Sequence, residues 1–139
     1  MTKSLIMLLC AAHMVEKKSL GALKEQMEVA ENAAIYERIK AHLVETQWQV
    51  SLLEACLEFQ GIDKNFLDRK TCKLADRING LDLVGIKQFE IRIYSKIIAA
   101  ARKTDAPEIL QACREILEQD RTMAEWIEDN SYQLNPAFI

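Results

Sequence analysis

Glycine and proline are scarce: the 139 residues hold four of the first and two of the second. Both residues break helices, so their scarcity argues for long uninterrupted helices rather than many short elements. No basic block is longer than a pair such as Lys17-Lys18, and the formal net charge is −3, which argues against nucleic acid as a partner. No glycine-rich phosphate loop occurs. His13 and His42 are the only two histidines, and no serine or cysteine motif lies beside either. Nucleophilic catalysis therefore has little backing, and the catalytic residues of any reaction stay unknown. Cys10, Cys56, Cys72 and Cys113 are scattered with no C-x-x-C pair. That spacing disfavours a disulfide framework or thiolate zinc site and fits reduced, mostly buried thiols in the cytoplasm.

What is present is the balance of a globular protein: half the residues are hydrophobic and 28% are charged. The length fits a single domain over residues 1–139. Leu5-Ile6-Met7-Leu8-Leu9 resembles a short signal-peptide core. It lacks a small-x-small cleavage site and is too short to cross a bilayer, so it reads as the first turns of a helix, with no membrane partner.

The apolar periodicity predicts four long helices. The first runs from Thr2 or Ser4 to about Ala30, on a stripe of Leu5, Leu9, Ala12, Leu20, Leu23 and Met27. Asn32 is the expected N-cap of the second, which stops at Gly61, a residue at ease in a left-handed cap. The third starts near Asp82 and ends by Thr104. Asp105-Ala106-Pro107-Glu108 reads as a D-x-x-E capping box opening the fourth, which runs to about Asp129. An irregular tail over about 130–139 follows, with Pro136 breaking any helix. Short links one-to-two and three-to-four predict two antiparallel hairpins. The long link over about 60–81, with a short helix on Phe66, Leu67, Leu74 and Ile78, predicts one crossover. The expected fold is thus all-α, a ferritin-like four-helix bundle, with an all-antiparallel bundle as the alternative.

Three of these stripes carry an acid where an apolar residue belongs. Glu16 sits mid-stripe in the first helix, Glu90 among Leu83, Ile86, Ile93, Tyr94, Ile97 and Ala101, and Asp120 among Ile109, Cys113, Ile116, Met123, Ala124 and Ile127. The second helix offers a polar notch, with Thr46 inside its stripe, His42 and Gln49 on a shoulder, and Glu45 further round. Measured from the hairpin turns, all of these fall near mid-height. Burying an unpaired carboxylate costs several kcal/mol, so three at one level need protons or a cation. A carboxylate-bridged metal pair is the known bundle solution, and oxygen and imidazole ligands suit iron or manganese. The competing reading is a metal-free polar layer satisfied by hydrogen bonds, by water, or by a Lys or Arg reaching in.

At these residues the sequence resembles the YciE/YciF-type ferritin-like family of bacterial stress proteins. Val15-Glu16-Lys17-Lys18-Ser19-Leu20 is similar to that family's A-E-K-Q-L, and His42-Leu43-Val44-Glu45-Thr46-Gln47-Trp48-Gln49 to its H-L-E-E-T-x-x-Q. Phe89-Glu90-Ile91 matches H-Y-E-I, and Glu118-Gln119-Asp120 an acidic E-E-E run. The resemblance implies a ferritin-like dimer with a di-iron centre, for which the donor chemistry also admits di-manganese. It also implies Glu16, Glu45, Glu90 and Asp120 as ligands, with His42 or Gln49 nearby. Val44, Gln88 and Ala124 depart from the family's acid, histidine and aspartate, which points to a weakened or lost centre.

The second helix carries another apolar stripe opposite its core face: Val44, Trp48, Leu52, Ala55 and Phe59. Such a stripe marks a partner surface, here expected to be a homodimer contact, unless the crossover folds over it. Two functions follow: a ferritin-like metal protein, or a metal-free helical interaction module acting through this face.

Overall fold

The computed structural model describes residues 2–62 and 77–134. Four long helices make up nearly all of them: α1 (Lys3–Glu28), α2 (Ala33–Phe59), α3 (Leu83–Arg102) and α4 (Pro107–Asp129). A 3-10 turn, Ser131–Gln133, follows α4. Between α2 and α3, residues 77–79 are helical. The remainder of the short helix expected in the crossover, with Phe66, Leu67 and Leu74, lies outside the described residues, as does Pro136.

Local chemistry sets the helix ends. Thr2, Asn32 and Asp82 each turn a side-chain oxygen onto an otherwise unpaired N–H of the first turn. The acceptors take Leu5 N–H at 3.2 Å, Ile35 N–H at 2.9 Å and Gly85 N–H at 2.7 Å. At the end of α2, Gly61 adopts φ +78°. Its N–H donates to the Glu58 carbonyl, and Ile62 N–H reaches back to the Leu57 carbonyl, both at 2.9 Å. This paired closure requires a left-handed residue, which glycine supplies without strain.

The start of α4 corrects the expected capping box. Ala106 occupies the cap position with no side-chain bond, and Pro107 opens the helix. Proline's fixed φ and missing N–H define the first turn one residue beyond Asp105, so the Asp105 carboxylate is not used. Of the expected tail, residues 130–134 are described: Leu134 is buried, and Asn32 Nδ2 donates to Gln133 Oε1 at 3.2 Å.

Two apolar clusters fix the topology. One joins Leu5 and Leu9 of α1, Leu53 and Leu57 of α2, Ile97 and Ala101 of α3, and Ile109 and Cys113 of α4. The other joins Leu23, Ile35, Ile39, Leu83, Met123 and Ile127. The first cluster thus gathers the beginnings of α1 and α4 with the ends of α2 and α3, and the second gathers the opposite ends. Each hairpin is antiparallel, while α2 and α3 run the same way. The end of α2 and the start of α3 therefore lie at opposite ends of the bundle, which is the ferritin-like arrangement and not the all-antiparallel one.

On the outside of α2, Val44, Trp48 and Phe59 are 57%, 44% and 87% exposed. Ala55 is exposed as well, and Leu52 is half-buried against the core. Among the described residues, no helix is long and apolar enough to cross a membrane.

Candidate metal centre

Between the two apolar clusters, every helix turns polar side chains inward. Glu16 and Ser19 come from α1, His42, Thr46 and Gln49 from α2, Lys87, Glu90 and Tyr94 from α3, and Asp120 from α4, all with no exposed surface. Helical spacing explains the grouping. Lys87, Glu90 and Tyr94 stand three and four residues apart on one face, as do His42, Thr46 and Gln49.

One carboxylate oxygen from each of Glu16, Glu90 and Asp120 lies within 4.8 Å of the others. The sequence placed these three acids at one level, and the structure brings them together. Glu16 is held from two sides. The Tyr94 hydroxyl donates to its Oε1 at 2.9 Å, and the Gln49 amide nitrogen, in the orientation its neighbours require, donates to Oε2 at 2.8 Å. The other amide atom of Gln49 meets the Gln119 amide at 2.7 Å. Glu90 and Asp120 are held less completely. Among the described residues, Glu90 Oε1 and both oxygens of Asp120 are buried without a donor when both acids are ionised, and a proton on one lets it bond to the other.

His42 and Glu45 form a unit three residues apart. Nδ1 of His42 lies 3.0 Å from Glu45 Oε1, so it carries the proton and donates. That leaves the Nε2 lone pair turned inward, 3.9 Å from Asp120 Oδ1 and without a hydrogen-bond partner. Thr46 donates to the His42 carbonyl at 2.9 Å and stabilises the same turn. Glu45 is partly exposed behind the imidazole, where it orients the ring as a carboxylate does behind a metal-ligating histidine. Gln49 is engaged with Glu16. Of the six candidate ligands, then, Glu16, Glu90 and Asp120 converge, His42 stands beside Asp120, Glu45 backs His42, and Gln49 backs Glu16.

Lys87 is the residue the sequence reading missed. Its Nζ is fully enclosed, donates to Glu90 Oε2 at 2.9 Å and Ser19 Oγ at 3.0 Å, and lies 3.8 Å from Asp120 Oδ1. The available signal was its position one turn before Glu90, the spacing at which a lysine and a glutamate pair along a helix. Tyr94 was counted as an apolar stripe member, which hid its hydroxyl.

The electrostatics follow from burial. Glu16 and Asp120 are pushed well above the usual carboxylate range, first by loss of hydration and then by the negative charge of Glu90. Burial, reinforced by the Lys87 charge, lowers His42 to about 4, so its imidazole is neutral at physiological pH. Burial alone would lower Lys87, but Glu90, Asp120 and Glu16 around it outweigh that and raise it, so it stays an ammonium. Glu45 is lowered, chiefly by its hydrogen bond from His42.

Three carboxylates and one ammonium leave an excess of two negative charges when all are ionised. One divalent ion, or two protons, neutralises that excess. The donor set, hard carboxylate oxygens with one neutral imidazole beside them, could hold a metal ion. It does not fit a pair. A dinuclear centre draws a Glu from each of two helices and Glu-x-x-His from each of the others. Here there is one inward histidine, and an ammonium stands among the carboxylates.

A four-helix bundle with a crossover and a carboxylate layer at mid-height defines a ferritin-like protein carrying a buried acidic cluster able to hold a metal ion. The chain belongs to the family described as a domain of unknown function, DUF892, whose model matches residues 1–80 and 82–138. A crystal structure of a protein from Xanthomonas campestris pv. campestris is similar over 92% of this chain and 88% of that one. Its TM-score is 0.73 at 23% identity, a likeness that speaks for the fold.

Proposed function

We propose that this protein binds one divalent transition-metal ion, iron or manganese, at the waist of its bundle, through Glu16, Glu90, Asp120 and His42. One observation carries the reading. Glu90 Oε1, both Asp120 oxygens and His42 Nε2 are buried without hydrogen-bond partners; Glu90 and Asp120 meet Glu16 in one carboxylate cluster, and His42 Nε2 stands beside it, 3.9 Å from Asp120 Oδ1. Unsatisfied buried acceptors are expensive, and a set of them facing one space is what a cation satisfies. A redox-active ion bound there would supply one-electron chemistry toward oxygen or peroxide. The chain's own part is to hold the ligands and exclude water. Tyr94 and Gln49 fix Glu16, Glu45 fixes the His42 tautomer, and the apolar clusters above and below close the site. The resemblance of residues 42–49 to the YciE/YciF-type stress proteins supports a metal centre at this level, though not its reduction to one ion.

The test is metal analysis of protein purified without chelators, followed by anaerobic addition of Fe(II) or Mn(II) to stripped protein. The expected result is one equivalent bound with a raised Tm. Less than a tenth of an equivalent, with no thermal stabilisation by either ion, would remove the proposal.

A second reading concerns the outer face of α2. The exposure of Val44, Trp48 and Phe59 favours a homodimer through this stripe, with Leu52 and Ala55 completing it. Trp48→Glu is expected to yield a monomer in analytical ultracentrifugation with the metal site intact. An unchanged oligomeric state would withdraw the reading.

A further inference from the structure

Lys87 stands where a bundle of this kind would place positive charge of another origin. A lysine in a helix that faces a core normally lets its long stem carry the ammonium outward to water. Lys87 does the reverse. Its stem lines a pocket of about 220 Å³ on the α3–α4 side, with Val84, Gln88, Ala124 and Ile127, while Nζ points inward. There the ammonium is shared among carboxylates from α3 and α4 and the Ser19 hydroxyl of α1, and has no exposed surface. Both sides of that arrangement are built. Ser19, mid-helix and fully buried, meets Nζ at 3.0 Å, and the Glu90 carboxylate splits its two oxygens, Oε2 bonded to Lys87 and Oε1 buried without a partner.

We infer that Lys87 is a resident cation that takes the place of a second metal ion and restricts the centre to one. A carboxylate that bridges two metals in a dinuclear centre here bridges one metal position and one ammonium. Glu90 is that bridge, and Asp120, facing both Lys87 and His42, is its companion. The inference deepens the metal reading above and rests on it for the stoichiometry. The role of Lys87 as internal counter-charge stands independently.

The experiment is Mn(II) titration of stripped protein by calorimetry, with elemental analysis after dialysis and circular dichroism to confirm folding, on the wild type, Lys87→Gln and Lys87→Glu. The wild type is expected to bind one equivalent. Lys87→Gln removes the ammonium while keeping an amide donor near Glu90, and is expected to bind Mn(II) at least tenfold more tightly. Lys87→Glu adds a fourth carboxylate and is expected to hold two equivalents. Should Lys87→Glu fold only with metal present, Lys87→Gln decides alone. If folded Lys87→Gln binds no more tightly than a wild type that takes one equivalent, the Lys87 inference falls and the metal reading survives. If the wild type binds nothing and Lys87→Gln does bind, the metal reading falls and Lys87 as the replacing cation is upheld.

Discussion

At the ends of the bundle, Leu5, Leu9, Ile97 and Ile116 on one side and Leu23, Ile39 and Met123 on the other are buried among apolar neighbours. At the waist, Glu16, His42, Lys87, Glu90 and Asp120 are buried as completely, yet four of their polar atoms have no hydrogen-bond partner among the described residues. The ends are stable by area: each enclosed Leu or Ile contributes about 1.5–3 kcal/mol relative to exposure. The waist gains nothing from area and carries a desolvation cost that only charge matching offsets. Equal burial therefore reflects opposite energetics. Stability resides at the ends, and the capacity to bind resides between them.

The same contrast recurs between the two histidines. Nε2 of His13 is bonded at 2.9 Å to Glu54, whose side chain is half exposed. His42 bonds Glu45 through Nδ1 instead, which turns Nε2 into the core. Both are His–Glu pairs linking ring to carboxylate, but in His42 the other ring nitrogen stands beside an enclosed acid, Asp120, at 3.9 Å.

The sharpest test of this contrast is Ile97→Ala at the apolar end. Removing an enclosed isoleucine is expected to cost about 2–5 kcal/mol in urea unfolding, by the same amount with and without Mn(II). A cost below about 1 kcal/mol would break the comparison. Next in size is the histidine pair. A ligand at a hundredfold excess over its Kd stabilises by about 2.7 kcal/mol. His42→Ala is expected to lose most of that metal-dependent gain and His13→Ala none of it, read as the shift in Tm on adding Mn(II). Equal losses in the two variants would erase the distinction.

The smallest effect, on the order of 1 kcal/mol, is in pH. Glu16 and Asp120 are raised in the folded state, so their contribution is largest when protonated and is lost as pH rises through their folded values. His42, lowered to about 4 from an ordinary 6.5, acts oppositely, and only below pH 6.5. Above the ordinary carboxylate range the metal-free protein should therefore lose stability as pH rises through the folded values of Glu16 and Asp120. Glu16→Gln should flatten that slope, because Gln49 can reverse its amide to suit the new side chain. With Mn(II) bound the slope should invert, since protons compete for the ligands. Urea midpoints above that range, with and without metal, measure both signs.

Much of this was legible in the sequence. Asn32, Gly61 and Pro107 marked helix ends through backbone chemistry that depends on no distant partner. The three acids were visible because a carboxylate in an apolar stripe violates the periodicity that defines the stripe. Lys87 was not visible, because a lysine at the edge of a stripe reads as a solvated side chain until the opposing helices show Ser19 and Asp120 closing over its ammonium. Tyr94 was hidden for the converse reason, since its ring satisfies the stripe and its hydroxyl is noticed only when Glu16 is opposite. The Asp105 capping box failed because two start signals overlapped, and the proline prevailed.

The layering of apolar, charged and apolar along the bundle also governs how the two hairpins find each other. Each hairpin closes on local contacts, but Glu16 and Glu90 belong to different hairpins and meet only when these dock. Sliding one hairpin by a single helical turn, about 5.4 Å, would press its acids into the leucines and isoleucines of the other. The charged belt thus works as a notch in a key: it contributes little holding force, yet it admits one axial alignment of the assembled halves.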